Sequence, residues 1–287
     1  MRREHTVDLD VRGPWSLATS RRFWEGFAPA ALPEQADDGH LRTVFRVEGD
    51  WTRAEADVTQ ETETTRVVVR GDGDLDAAAE QVARFLALDL DATTWPDVGR
   101  RDPVVGDVQE RLPGLRPCGF HSPYEAAAWA VLSQRVAVPQ AARLRAGLVE
   151  RHGDDGAFPA PARLRELAPG LDLPGRKAEY LGAVADAALA GRLDTLALRA
   201  LDPDEARREV AEIHGLGPFA ADLVVLRGAN VPDAVPTSER RLRAIVAEHY
   251  PGRDLDEVAE AWRPWRTWGS FHLRAAFTRS QAPRWVR

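Results

Sequence analysis

The chain has 287 residues, 44% hydrophobic and 29% charged, the makeup of a globular fold with one large domain or two smaller ones. No apolar run approaches the roughly 18 residues of a membrane span, and the N-terminus lacks the apolar stretch of a secretory signal, so the expectation is no membrane and a cytoplasmic location. The single cysteine, Cys118, excludes an internal disulfide, a multi-Cys zinc site and a Cys-ligated iron–sulfur cluster, and reads as a small buried hydrophobe. The net charge of −7 speaks against a nucleic-acid partner until its distribution is seen: six arginines and no carboxylate lie between Arg263 and Arg287. The acids gather earlier, at Glu55–Asp57, Glu61–Glu63 and Asp72–Asp76. A DNA-binding face on an acidic body is compatible with that pattern.

In chain order, residues 5–11 alternate polar and apolar like a half-buried strand, and Trp15 to Phe27 reads as an amphipathic helix with Leu17, Phe23, Trp24 and Phe27 on its apolar side. Strands are predicted at His40–Glu48, Trp51–Val58 and Thr64–Arg70, with a Gly49-Asp50 turn between the first two. Asp74 caps a predicted helix over Leu75–Leu90. The order is β-α-β-β-β-α, a small antiparallel sheet backed by helices. A Pro- and Gly-containing segment, Trp95 to Gly119, follows. From Ser122 the pattern turns helical, opening on Ser122-Pro123 with Glu125 as N-cap, first-turn proline and N3 carboxylate. Further helices are predicted at Val138–Arg151, Pro161–Leu167, Arg176–Ala190, Thr195–Ala200, Pro203–Ile213, Phe219–Gly228, Glu239–His249, Asp254–Trp262 and about Trp265–Arg279. The fold class is therefore α+β, with a β-containing N-terminal domain over 1–100 and an all-α region over 101–287 made of two helical subdomains and a cleft.

One segment, Glu212 to Asp222, ends a helix, makes a tight Gly215-Leu216-Gly217 turn and starts another helix at Pro218. Paired glycines permit positive φ and close approach of another backbone. The amides of such a turn and helix start suit an anion such as a DNA phosphate. A plain chain-reversing αα-turn fits the segment equally well.

Together with its surroundings, this segment resembles the DNA-3-methyladenine glycosylase II family of the helix-hairpin-helix base-excision superfamily. Four stretches carry the resemblance: Ser122-Pro-Tyr-Glu-Ala to Leu132-Ser133-Gln134-Arg135-Val136; Leu173-Pro-Gly-Arg-Lys177-Ala-Glu-Tyr180-Leu; the hairpin through Pro232-Asp233-Ala-Val-Pro236; and Trp262-Arg-Pro-Trp265-Arg266. Their order and spacing match, and the likeness spans nearly the whole chain. It implies an enzyme that kinks duplex DNA, inserts a wedge and flips a damaged, alkylated base into a pocket; a monomer is the default expectation. An acidic side chain then stabilises the oxocarbenium-like sugar. The hairpin residues Gly215, Leu216, Gly217, Phe219 and Ala220, with Gln134, Arg135 and Arg240, are implied to contact DNA. The base pocket is implied to include Phe219, Leu223, Tyr124 and Arg274. No cofactor is implied for the chemistry, only a structural Na+ or K+ at the carbonyls of Ala211, Ile213 and Leu216.

The chain departs from the family at several of these positions. The family's catalytic aspartate, three residues after the proline that follows the hairpin, is here Glu239, one methylene longer. Glu239 reads either as the catalytic carboxylate or as part of the cap of the following helix beside Ser238. Asp233 and Asp222 are the other nearby acids, each suited to turn or helix-start roles. Arg135 stands where the family has an apolar wedge, Arg274 where it has a stacking aromatic, and Leu223 replaces another aromatic, which weakens cation–π selection of a positively charged base. Arg135 reads as a wedge that bonds the orphaned base or as a solvated helix charge. Trp262, Trp265 and Trp268 read as core. Members that also nick the strand carry a Schiff-base lysine where this chain has Phe219, and the only lysine, Lys177, is remote in sequence; the expectation is a monofunctional glycosylase, bound to the nucleoid when at work. A catalytically silent lesion-sensing protein on the same scaffold, and a helical protein–protein module without salt-dependent DNA binding, are the competing readings.

Overall fold

The computed structural model describes residues 3–27, 38–61 and 64–277. The basic C-terminal stretch therefore reaches Arg263, Arg266 and Arg274 within the described residues, while Arg279, Arg284 and Arg287 lie outside them.

The N-terminal part is a four-stranded antiparallel sheet of β1 (Arg3–Asp10), β2 (Leu41–Arg46), β3 (Arg53–Glu61) and β4 (Thr64–Gly71) in the order β1-β4-β3-β2. Register follows the period-2 burial pattern: Val58 pairs with Val67 and Ala56 with Val69, all four buried on one face. That face packs against α1 (Leu17–Glu25), capped by Ser16, and α2 (Leu75–Phe85), capped by Asp74. Leu17, Trp24, Phe45, Val82 and Phe85 fill the space between. At the β2–β3 turn Gly49 takes a positive φ, and so does Trp51 at 58°.

The Pro- and Gly-containing segment over Trp95–Gly119, where the sequence predicted no element, holds two short helices, α3 (Trp95–Arg101) and α4 (Pro103–Arg111). Both are too short to fill a periodicity window, and Pro96 and Pro103 sit in first turns, where a missing N–H costs nothing. Asp102 caps α4 through Val104 and Val105 and also accepts from the Tyr250 hydroxyl (2.8 Å) and Trp262 Nε1 (2.7 Å). This buried carboxylate ties α4 to the C-terminal helices.

The helices from residue 123 onward divide between two cores. One is built from α5 (Pro123–Ser133), α6 (Val138–His152), α7 (Pro161–Leu167), α8 (Lys177–Leu189), α9 (Thr195–Ala200), α10 (Pro203–Ala211) and α11 (Pro218–Leu223), the last continued by a π-helical turn at Val224–Gly228. The other packs residues 87–115 against α12 (Arg240–His249), α13 (Leu255–Ala259) and α14 (Arg266–Phe277). Trp262, Trp265 and Trp268 belong to this second core, and the chain on either side of residue 100 packs as one piece with it. Ser122 caps α5 through the Glu125 amide. Burial would raise the Glu125 carboxyl, but His121 and Arg145 outweigh it and hold it down to about 2.

Glu48 joins the sheet to the first helical core by accepting from the amide and hydroxyl of Thr195 (3.2 and 2.9 Å). Burial pushes its carboxyl up to about 7, against the pull of Thr195 and Arg84. A raised carboxyl keeps its proton in the folded state over a range where the unfolded chain has released it. Stability should therefore fall as pH rises from about 4.5 to about 7 and stay lowered above that. Glu48→Gln keeps an oxygen for both Thr195 donors. It is expected to remove this slope and to raise the melting temperature more at pH 8 than at pH 5, which thermal melts at the two pH values would check.

Candidate functional site

The Gly-x-Gly turn joins α10 to α11. Gly215 holds φ at 89°, and a Cβ there would meet the Tyr180 ring at 2.3 Å, so glycine is demanded twice over. Gly217 differs: its φ of −105° suits any residue, and nothing lies within 4 Å of where its Cβ would be. What glycine leaves at 217 is open surface. No side chain caps the start of α11, so its first amides keep their donors for an outside acceptor. Leu216 and Ala220 turn their side chains into the core, and Phe219 stands 53% exposed beside them. Gly215→Ala is therefore expected to destabilise the fold by about 2 kcal/mol or more through strain and overlap. Gly217→Ala should leave the melting temperature within a degree or two and, if these amides meet a DNA phosphate as the resemblance implies, weaken DNA binding severalfold. Melting and fluorescence anisotropy on the two variants separate these effects.

The end of α5 leans on this turn. Gln134 Nε2 donates to the Gly215 carbonyl (2.7 Å), and Lys177 Nζ donates to the carbonyls of Val131 (2.8 Å) and Gln134 (2.7 Å). Arg135, the next residue, is exposed and adopts the left-handed conformation, φ 55°, a cost of roughly 1–2 kcal/mol for a residue with a Cβ. No hydrogen bond or ion pair holds its guanidinium among the described residues.

A cavity of about 250 Å³ opens where the three cores meet. Phe23 and Phe27 come from the α1 region, Phe219, Asp222, Leu223 and Arg227 from α11 and its π turn, Ser238 and Glu239 from the loop before α12, and Phe271 and Arg274 from α14. Glu239 is the N-cap of α12: its Oε1 accepts from the Arg241 amide (3.2 Å), while Oε2 lies 3.4 Å from Arg274 Nε inside the cavity. The carboxylate thus caps the helix, as one reading of its position held, and also faces the cavity. Burial lowers the Arg274 guanidinium from its ordinary value, against the pull of Glu239.

Asp222 is buried and spoken for. Its Oδ1 accepts from Arg207 Nε (2.8 Å) and its Oδ2 from both the amide and the hydroxyl of Ser238. It moors the Glu239 loop to the hairpin helix. Asp233 accepts from the amide and guanidinium of Arg266 and so fixes the start of α14.

Of the residues singled out in the sequence, the cavity gathers Phe219, Asp222, Leu223, Glu239 and Arg274. Tyr124, expected there, is fully buried elsewhere: its ring packs on Trp51 and Phe158 and its hydroxyl donates to the Pro159 carbonyl (2.8 Å). The cause is α5 itself, whose residues are buried on every side. Gln134 and Arg135 sit at the hairpin, outside the cavity lining, and Arg240 is exposed at the first turn of α12. The Ile213 carbonyl accepts from the Leu216 amide (2.9 Å) within the turn.

Sequence reading missed Arg227 and the inner faces of Phe23, Phe27 and Phe271. Two signals were present: a single charge in the apolar run Leu223 to Val231, and an α1 apolar on two sides, with Trp24 toward the sheet and Phe23 and Phe27 toward the cavity.

No family model matches the chain. It is 26% identical to a Bacillus subtilis protein named DNA-3-methyladenine glycosylase, over 68% of this chain and 71% of that one. It is 30% identical to a Mycobacterium tuberculosis protein named probable bifunctional transcriptional activator/DNA repair enzyme AlkA, over 93% of this chain but only 56% of that protein. Among solved structures, the 3-methyladenine DNA-glycosylase of Archaeoglobus fulgidus superposes with a TM-score of 0.71 over 94% of this chain and 96% of its own, at 21% identity, a likeness of fold.

Proposed function

We propose that the chain is a glycosylase of the DNA-3-methyladenine glycosylase II type, a reading supported by its similarity to relatives of that name, and that it hydrolyses the N-glycosidic bond of a damaged, alkylated base flipped out of duplex DNA. The observation that supports this most is the shared cavity: Phe219 of the hairpin helix and the Glu239 carboxylate line the same space. A duplex gripped by the turn amides at one phosphate could present one everted nucleoside to that space. At about 250 Å³ it is below the roughly 300–1,000 Å³ of drug-sized ligand sites and matches a single base. The C1′–N bond breaks with its electron pair going to the base. Glu239 faces the positive charge that develops on the sugar, and water adds at C1′. Arg135, held proud of the surface by its left-handed backbone, is the wedge that fills the vacated stack.

The same reading places the enzyme on nucleoid DNA in the cytoplasm, as a monomer. A sodium or potassium ion at the carbonyls of Ala211, Ile213 and Leu216 accords with hard oxygen donors at the C-terminal end of a helix. It would steady the hairpin and supply nothing to bond cleavage.

We assign no lyase step. Phe219 occupies the start of the hairpin helix, and the amine of Lys177 is bound to two backbone carbonyls. Burial lowers that amine from its ordinary value, yet both of its acceptors lie at the end of α5, away from the cavity lining. Borohydride treatment of the protein with lesion-bearing duplex should therefore trap no covalent adduct.

The deciding experiment is base release from duplexes carrying alkylated, deaminated and oxidised bases one at a time. Release of at least one lesion supports a glycosylase. Binding of lesion DNA without release of any would leave only the lesion-sensing alternative.

A further inference from the structure

The cavity has an electrostatic character of its own. Four charged side chains line it: Asp222, Glu239, Arg227 and Arg274. Asp222 is met by Arg207, and Glu239 by Arg274. Arg227 has no carboxylate partner among the described residues. Its guanidinium carbon sits 4.7 Å from the ring centre of Phe271, 5.0 Å from Phe27 and 5.8 Å from Phe23. One amine, Nη2, donates to the Cys118 carbonyl (2.6 Å), while Nε is sealed from solvent with no acceptor. Burial lowers Arg227 to about 10, so it is charged at neutral pH.

The position of Arg227 is built in by the backbone. The π turn Val224–Gly228 widens the helix there. The Arg227 carbonyl accepts from the Phe120 amide (3.0 Å), and a Cβ on Gly119 would strike that carbonyl at 2.2 Å. The residue is anchored from behind while its side chain reaches the aromatic faces of the cavity.

A resident cation on those faces changes what they select. Aromatic faces attract a positively charged base when they are empty; here Arg227 already occupies three of them. A base alkylated on a ring nitrogen arrives as a cation and leaves neutral, so it needs no positive neighbour and is repelled by one. An uncharged lesion arrives neutral and takes the bond's electron pair as negative charge. That charge develops beside two guanidiniums, and a proton from the attacking water then completes the free base. Arginine N–H groups suit this task because they donate to the ring nitrogens and exocyclic oxygens where the charge collects.

Resting on the glycosylase reading, we propose that the cavity selects uncharged lesions, such as exocyclic alkyl adducts and deaminated bases, over cationic ring-alkylated purines, with Arg227 and Arg274 stabilising the departing base.

The test compares single-turnover release from duplexes holding 1,N6-ethenoadenine or hypoxanthine, both uncharged, with release from a duplex holding cationic 7-methylguanine. Wild type is expected to release one of the uncharged bases at least tenfold faster. Arg227→Met, which keeps an apolar stem on the rings, and Arg274→Gln should each shift the ratio of rates toward 7-methylguanine by at least tenfold. Equal or faster release of 7-methylguanine by wild type, or an unchanged ratio in a folded variant, overturns the proposal. If Arg227→Met does not fold, Arg274→Gln decides. Equilibrium binding of the same lesions on 2′-fluoro sugars, whose glycosidic bonds hold, separates the two ideas. Tenfold tighter binding of the uncharged lesion, together with no release of any base from the ordinary-sugar duplexes, supports the selection and sinks the glycosylase reading; equal or reversed binding sinks the selection.

Discussion

Glu239→Gln is expected to slow base release by about 100- to 1,000-fold in single-turnover assays, the usual effect of removing one preorganised electrostatic group from a reaction centre. The substitution is chosen for what it leaves intact. The amide oxygen can still accept from the Arg241 amide, so the cap of α12 survives, and the side chain still reaches the cavity beside Arg274. Only the charge is lost. Affinity for a duplex containing an abasic site should change by less than threefold, because on the proposed reading the hairpin amides and not the cavity carry most of the grip. A variant that released base at the wild-type rate would reduce Glu239 to a helix cap and move the search for the catalytic group elsewhere.

The second large effect is expected at a residue that touches no base. Asp222→Ala removes a buried carboxylate that holds Arg207, the Ser238 amide and the Ser238 hydroxyl. Breaking such a pair costs about 3–5 kcal/mol. The low end, about 3 kcal/mol, is expected because Arg207 keeps Asp204 and the Val235 carbonyl. A shift of the urea midpoint measures this. Below the melting range, the folded variant should also release base about 100-fold more slowly, since a displacement near 1 Å at a reacting group costs that much. Its affinity for abasic DNA should fall far less. Loss of stability with an unaltered rate would mean that the Glu239 loop holds its place without this mooring.

The contrast between Asp222 and Glu239 shows what a sequence can and cannot disclose. Both acids were visible as candidates, and spacing from Pro236 singled out Glu239. That Asp222 is consumed by Arg207 could not be read, because the pair closes only when α10 folds back on α11. Strands and most helices were legible because burial imposes their periodicity. The pair α3 and α4 was not, since two turns interrupted by proline leave no period to detect. The cavity was legible only from one side. Phe219, Leu223, Glu239 and Arg274 lie at positions the resemblance singled out, whereas Arg227 reaches the space through a π turn that helical periodicity does not announce. Tyr124 failed for the opposite reason: the resemblance implied the cavity, but α5 is buried on every face, its Glu125 included.

The hydrogen bond from Gln134 to Gly215 joins the intruding tip at Arg135 to the backbone clasp of the hairpin. Lys177 braces the same corner from within. On the proposed reading, tip and clasp are tied together at this corner, and bending falls to the double helix. The energy of inspection then depends on the local pliability of the sequence being inspected, which is low-cost at mispaired, damaged or pyrimidine–purine steps. A corner braced in this way would, on that reading, sort DNA by compliance before any base enters the cavity.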